Sequence, residues 1–211
     1  MPRRVDLEPE WMDAPGVDEQ ELTRSLGFIR RINTLLRYNA ATAHVVRDTF
    51  DEPSSVLDVC CGSNDLAEQT GWPTVGLDFH GGTLKVATGR LVRGDALRLP
   101  FADDAFDVAV CQMALHHFED DEARQILEEM TRVSRRGWVA ADLLRRRRAA
   151  VWIRLFTLFA GPMVRHDARL SVRQAWSPAE ARSLGEAVGA TYREHFGHRF
   201  TLTLTKPTPS S

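Results

Sequence analysis

Apolar and polar positions follow two rhythms along the chain. Leu22, Leu26, Ile29, Ile32, Leu35 and Leu36 return every three or four residues, which is the spacing of one helix face. Asp18 stands where an N-cap belongs, so a helix is predicted over 19–37, and a second over 40–50. Ahead of them, residues 1–17 hold Pro2, Pro9 and Pro15 among acids and read as an arm. After them, short β-rich runs alternate with helical stretches. The runs are SSVLDVC (54–60), TVGLD (74–78), RLVRGD (90–95), FDVAVCQ (106–112) and GWVAADL (137–143). A brief helix is predicted over 65–70, ended by Gly71 and Pro73, and a long amphipathic one over 119–134 with Ile126, Leu127, Met130 and Val133 on one face. The segment HGGTLKVATG between Asp78 and Arg90 contains three glycines and reads as a loop.

Beyond the fifth strand a helix is predicted over 147–160. Its residues Trp152, Ile153, Leu155, Phe156, Leu158 and Phe159 are apolar nearly all round, as in a core helix. Ser177 opens another helix, with Pro178 at its first position and Glu180 closing a capping box. TYREHF (191–196) and RFTLTLT (199–205) flank Gly197-His198, a hairpin signal. Alternating strands and helices imply a doubly wound α/β fold with a mainly parallel sheet. The last two strands bring the count to seven and add an antiparallel pair at one edge. One domain is expected: residues 51–211 as core, with residues 1–50 and the 143–176 segment forming a lid.

Composition narrows the function. The 211 residues, 43% hydrophobic and 27% charged, suit one domain with a full core. A net charge of −2 supplies no global positive field for nucleic acid. Cys60, Cys61 and Cys111 form no C-x-x-C pair, and their odd number without an apolar leader points to a reducing cytoplasm. The run AAVWIRLFTLFAGPMV (149–164) is shorter than the ~20 residues a bilayer span needs and is broken by Arg154. No transmembrane segment is therefore expected. The Arg145–Arg148 run reads as a solvated helix start, with peripheral contact to a phosphate or membrane surface as the alternative.

The chemistry gathers at strand ends. In VLDVCCGSNDLA (56–67) a buried strand runs into a loop with Gly62 at its centre and Asn64, a residue tolerant of left-handed backbone, two positions on. Neither G-x-G-x-x-G nor a P-loop is present, so a phosphate cradle is disfavoured. Asp58, Asp78 and Asp95 close three successive strands instead. Carboxylates repel phosphate but suit an ammonium, a ribose diol and an adenine amino group, which occur together in S-adenosylmethionine.

The order VLDVCCGSNDLA, VGLDFH, VRGDALRLPFADDAFDVAVCQMALHHF, from about 55 to 142, resembles class I S-adenosylmethionine-dependent methyltransferases, and within them the ubiquinone and menaquinone biosynthesis type and small bacterial relatives. The resemblance implies a Rossmann-like methyltransferase fold. It also implies that Asp58 and the backbone of Cys60 and Gly62 hold the methionine end, and that Asp78 binds the ribose with Phe79 against the adenine. Asp95 and Ala96 would meet the adenine edge, and Cys111, Gln112 and Met113 would floor the pocket. Where that family's loop reads D-x-G-x-G-x-G, Cys60 and Asn64 replace the outer glycines.

An oxygen acceptor needs a base, for which His166, His117 and His116 are the candidates. Arg37, Tyr38, Arg165 and Asp167 are available to bind the acceptor. The plainer alternative for Arg165-His166-Asp167 is an exposed turn, and for His116-His117 packing at a helix start. No histidine spacing suggests a metal, and none is expected. The reading that follows is methyl transfer to carbon or oxygen of a small hydrophobic acceptor: a quinone, phenol, polyketide or lipid precursor. A catalytically weak binding or regulatory protein is the alternative, suggested by Cys60 and Asn64. A nucleic-acid methyltransferase is disfavoured, since CQMALHH stands where an aromatic-proline tetrapeptide would be.

Overall fold

The computed structural model describes residues 7–14 and 16–207; Pro2 and Pro15 of the expected arm lie outside the described residues. Seven strands form one sheet: β1 (Val56–Val59), β2 (Thr74–Asp78), β3 (Arg90–Arg93), β4 (Phe106–Gln112), β5 (Ser134–Leu143), β6 (Thr191–His195) and β7 (Arg199–Thr205). Their order across the sheet is β3-β2-β1-β4-β5-β7-β6. The first five run parallel, and β7 pairs antiparallel with both β5 and β6. Strand order reverses between β1 and β4, and a crevice opens at the carboxyl ends of strands at such a point. Asp58 lies in register with Gly76 on β2 and Val110 on β4.

The period-two alternation of strands sorts their side chains to two layers. Leu57, Val59, Ala109 and Cys111 face α5 (Asp120–Val133) and α8 (Pro178–Ala187). Val56, Val108 and Val110 face α2 (Tyr38–Phe50) and α3 (Asp65–Thr70). α5 buries Ile126, Leu127, Met130 and Val133 completely. Each contributes roughly 1.5–3 kcal/mol of apolar transfer. Its first turn is fixed by a capping box between Glu119 and Glu122.

The expected elements recur with shifted ends. α1 (Glu19–Leu35) starts from an Asp18 side chain that accepts from the Glu21 N–H at 2.9 Å, but Arg37, with φ 55°, breaks it from α2. β5 starts at Ser134 rather than 137 because Gly137 absorbs a kink there: its φ is +128°, and a Cβ would stand 1.9 Å from the Leu204 carbonyl oxygen. The glycine-rich 80–89 stretch holds a six-residue helix, α4 (Gly81–Val86). α6 (Arg147–Phe156) stops four residues short of the expected end.

Like α4, α7 (Pro162–Gln174) was not expected as a helix; it takes up Arg165-His166-Asp167, for which an exposed turn was the plainer alternative. Pro162 at its first turn was the available signal. The expected arm is pinned to α7. The Trp11 and Met12 N–H groups donate to the two Asp167 carboxylate oxygens at 2.9 and 3.1 Å, and Gln174 donates to the Glu8 carbonyl. Among the described residues, no helix is long and apolar enough to cross a membrane.

Candidate active site

Every second residue after β1 turns left-handed: Cys60 at φ 57°, Gly62 at 54° and Asn64 at 60°. These are the three positions at which the resembled family places glycine. The backbone therefore follows a glycine loop although only Gly62 is glycine. An L-residue pays about 1–2 kcal/mol for this conformation, Asn the least of the non-glycines. Neighbours hold the loop in place. The Cys61 N–H donates to the Leu77 carbonyl at 2.9 Å, and Asn64 Nδ2 to the Thr88 carbonyl at 2.7 Å. Gly76 on β2 leaves the space the loop needs: a Cβ there would meet Cys61 Sγ at 2.7 Å and Asn64 Oδ1 at 2.9 Å.

Asp78 ties the loop to the end of β2. Its carboxylate accepts from the Gly62 N–H at 3.0 Å and the His80 N–H at 2.9 Å. Asp58 is buried one strand away. Burial first, then the charges of Asp78 and Asp65, push its carboxyl up to about 8. The same causes, burial ahead of Asp58 and Asp78, hold the Cys61 thiol protonated. Phe79 lies at the rim with 59% of its surface exposed.

These groups open into a cavity of about 340 Å³. One wall is apolar, built from Leu26, Phe28, Ile29 and Ile32 of α1 with Ile153 of α6 and Val164 of α7. The floor is Gln112 and Met113 at the end of β4, where Met113 has φ 57°. Gln112 Nε2 bonds Asn39, while its buried Oε1 has no hydrogen-bond partner among the described residues.

The far end is polar. His116, 2% exposed, lies on a short 3-10 turn with His117. Its Nδ1 is 2.7 Å from Asp142 Oδ1, and its backbone N–H donates to Asp142 Oδ2 at 2.9 Å. The Nδ1 facing a carboxylate carries the hydrogen, which leaves Nε2 as the acceptor. Glu10 closes the group; burial, opposed by His116, pushes its carboxyl up to about 7. Ser171 donates to it.

Glu10, His116 and His117 each bring a possible ligand atom within 4.8 Å of the others. The two rings lie 4.2 Å apart, tilted by 34°.

The structure thus gathers Asp58, Cys60, Gly62, Asp78, Phe79, Gln112, Met113, His116, His117 and Asp167 on one cavity. Asp167 spends its carboxylate on Trp11 and Met12. Other expected residues do not line it. Asn64 is turned inward behind the loop, and Cys111 and Ala96 are buried in the core. Asp95 is exposed, its carboxylate accepting from the Leu97 N–H at 2.9 Å. Arg37 is exposed, and Tyr38 lies against the Arg199 guanidinium. Arg165 and His166 face an outer groove, the His166 ring stacked 3.9 Å from Trp11. Glu10, Asn39 and Asp142 escaped the sequence reading. Asp142 had a signal, since it too is an acid near the end of a strand; Glu10 had none.

A family model described as a methyltransferase domain matches residues 56–137. Demethylmenaquinone methyltransferase of Lysinibacillus sphaericus is 39% identical over 104 residues, 43% of this chain and 44% of that protein. 2-Phytyl-1,4-naphtoquinone methyltransferase of Synechocystis is 38% identical over 105 residues, 42% and 43% of the two chains. The match thus spans under half the length of these curated relatives. Among solved structures, a plantazolicin methyltransferase in complex with SAH superposes with a TM-score of 0.70 at 13% identity, over 90% of this chain and 92% of that one. Magnesium protoporphyrin IX methyltransferase of Synechocystis with bound SAH gives 0.59 at 17% identity, over 84% and 85%. At such identities these likenesses establish the fold. Sheet order and the glycine-like loop agree with the methyltransferase-domain model that matches residues 56–137.

Proposed function

We propose that the protein transfers a methyl group from S-adenosylmethionine to oxygen or carbon of a small hydrophobic acceptor of the quinol or phenol kind, with His116 as the base. One observation carries this reading: a single cavity joins the Asp58–Asp78 carboxylates to an apolar wall and ends on a buried His116–Asp142 pair. The residues fit the cofactor. A crowd of acids around Gly62 leaves Asp58 uncompensated, and a cationic ligand relieves it. Asp78 is oriented by two N–H groups with oxygen lone pairs left for hydroxyls. The exposed ring of Phe79 offers a stacking face. The left-handed Cys60 and Asn64 favour a working loop over a weakened one.

The bound cofactor supplies a methyl group activated by positive sulfur. The protein aligns the acceptor and excludes water. Leu26, Ile29 and Ile32 cover the site from α1, and the segment carrying Glu10 and Met12 covers it from α7. His116 Nε2 takes the acceptor's proton; Asp142 fixes the tautomer and stabilises the imidazolium that forms. Glu10, with its carboxyl near 7, stands beside it to pass the proton on. The apolar wall favours the acceptor class, and the relatives named for quinone substrates agree with it.

The test is turnover against a panel of reduced quinones, phenols and polyketide fragments. His116→Asn should lower turnover about 10²–10⁴-fold with S-adenosylhomocysteine affinity unchanged. Full turnover in that variant removes His116 from the chemistry. Tight cofactor binding with no turnover on any acceptor supports the binding-protein reading instead.

A further inference from the structure

We propose that the outer face of α6 docks on the surface of an anionic lipid bilayer. α6 and the turn after it present Val151, Trp152, Leu155, Leu158 and Phe159 to solvent, Phe159 with 93% of its surface exposed. Val151 and Leu155, four residues apart, share one face of the helix with Trp152 beside them, and Leu158 and Phe159 follow exposed in the turn beyond its end. A surface helix normally turns such a side inward. Here the inward side is already occupied: Ala149 is buried, and Ile153 and Thr157 line the cavity. The apolar character that reads as core packing in the sequence is in fact uncovered.

Charge selects what covers it. Residues 143–176 hold eight arginines and one acid, Asp167, in a chain whose net charge is −2. Asp167 is buried and bonded to the N-terminal segment. Arg145 is held by Glu180 at 2.9 Å, Arg146 pairs with Glu194, and Arg173 lies 3.8 Å from Glu8. Arg147, Arg148, Arg154, Arg165 and Arg169 are exposed and make no ion pair with the described residues. An apolar centre with guanidinium groups around it matches the lipid interface. Hydrocarbon side chains enter the acyl boundary, arginines stay with the phosphates, and Trp152 sits at the level between them. A second copy of the chain would set these same cations against each other. The proposal holds whatever the acceptor, although an acceptor dissolved in lipid would meet the cavity wall on the far side of the same helix.

The experiment is sedimentation of the full chain with vesicles of phosphatidylcholine alone or mixed with phosphatidylglycerol. Binding is expected to the mixed vesicles and to weaken with salt. Leu155→Glu with Phe159→Glu should lower partition by at least about tenfold, and Arg147→Gln and Arg148→Gln by about fivefold each. Circular dichroism and S-adenosylhomocysteine affinity should match the wild type in all of these. Should the double variant fail to fold, Phe159→Ser, beyond the end of α6, repeats the test. The proposal is overturned if mixed vesicles do not bind the protein or if the variants bind as well as the wild type. It is equally overturned by self-association that Leu155→Glu abolishes in a chain that ignores vesicles.

Discussion

Cofactor-product binding should expel a proton from Asp58, and its affinity should climb with pH. With its carboxyl near 8, Asp58 is ionised in only a minority of free molecules at neutral pH. If the ligand's ammonium needs the carboxylate, apparent affinity at pH 7 is reduced about tenfold, or ~1.4 kcal/mol, and about a hundredfold at pH 6. Titration calorimetry with S-adenosylhomocysteine in two buffers of different ionisation enthalpy gives both quantities. Release of about 0.9 proton is expected at pH 7, falling towards zero above pH 9. Asp58→Asn should abolish the release and flatten the slope, which separates Asp58 from the ligand's own amine. Affinity that stays level from pH 6 to 8, or an equal slope in Asp58→Asn, would refute the reasoning. The free protein follows the opposite trend. Its folded value lies above the unfolded one, so the folded chain holds the extra proton between about pH 4 and 8. Stability contributed by the protonated group is complete below pH 4 and declines as pH rises through that window.

Four further outcomes are expected. Asp78→Ala should weaken S-adenosylhomocysteine binding by ~1.5–3 kcal/mol, because a charged acceptor is lost and the Gly62 and His80 N–H groups are freed; calorimetry on a folded variant checks it. His166→Ala should leave turnover intact and lower the melting temperature, since the ring only stacks on Trp11 and bonds Asp167; a large loss of turnover would return it to the mechanism. Cys60→Gly should preserve S-adenosylhomocysteine binding, read by calorimetry, whereas Asn64→Gly should cost about 1–2 kcal/mol of stability through the lost bond to Thr88, read by chemical denaturation. Gly137→Ala should destabilise by several kcal/mol, because its Cβ would fall on the Leu204 carbonyl and part β5 from β7.

The central strands were legible because they are apolar runs bounded by turn residues, and β6 and β7 because Gly197-His198 marks the hairpin between them. The carboxylate end of the cavity was legible for a related reason: strand ends are local, and Asp58, Asp78 and Gly62 each sit beside a strand the pattern reveals. The polar end of the cavity was not. Glu10 reaches it only because Asp167 holds the Trp11 and Met12 backbone, a contact across more than 150 residues that no periodicity encodes. His166 misled because a polar cluster after an apolar helix suggests a closing turn, whereas α7 is helical and turns that residue outward. Asp95 shows the limit of position alone, since a strand-end acid can serve the next turn instead of the crevice.

The sheet order has a consequence for how the chain reaches its structure. β1 lies between β2, which follows closely, and β4, which arrives some 50 residues later. Until β4 docks, Asp58 has solvent on the side that Val110 will cover. Closing that strand pair removes an ionised carboxylate from water, so the docking step at neutral pH must take up a proton. Long-range parallel pairing is already slow. Refolding should therefore slow further as pH rises towards 8, and stopped-flow traces should show proton uptake in step with the main folding phase.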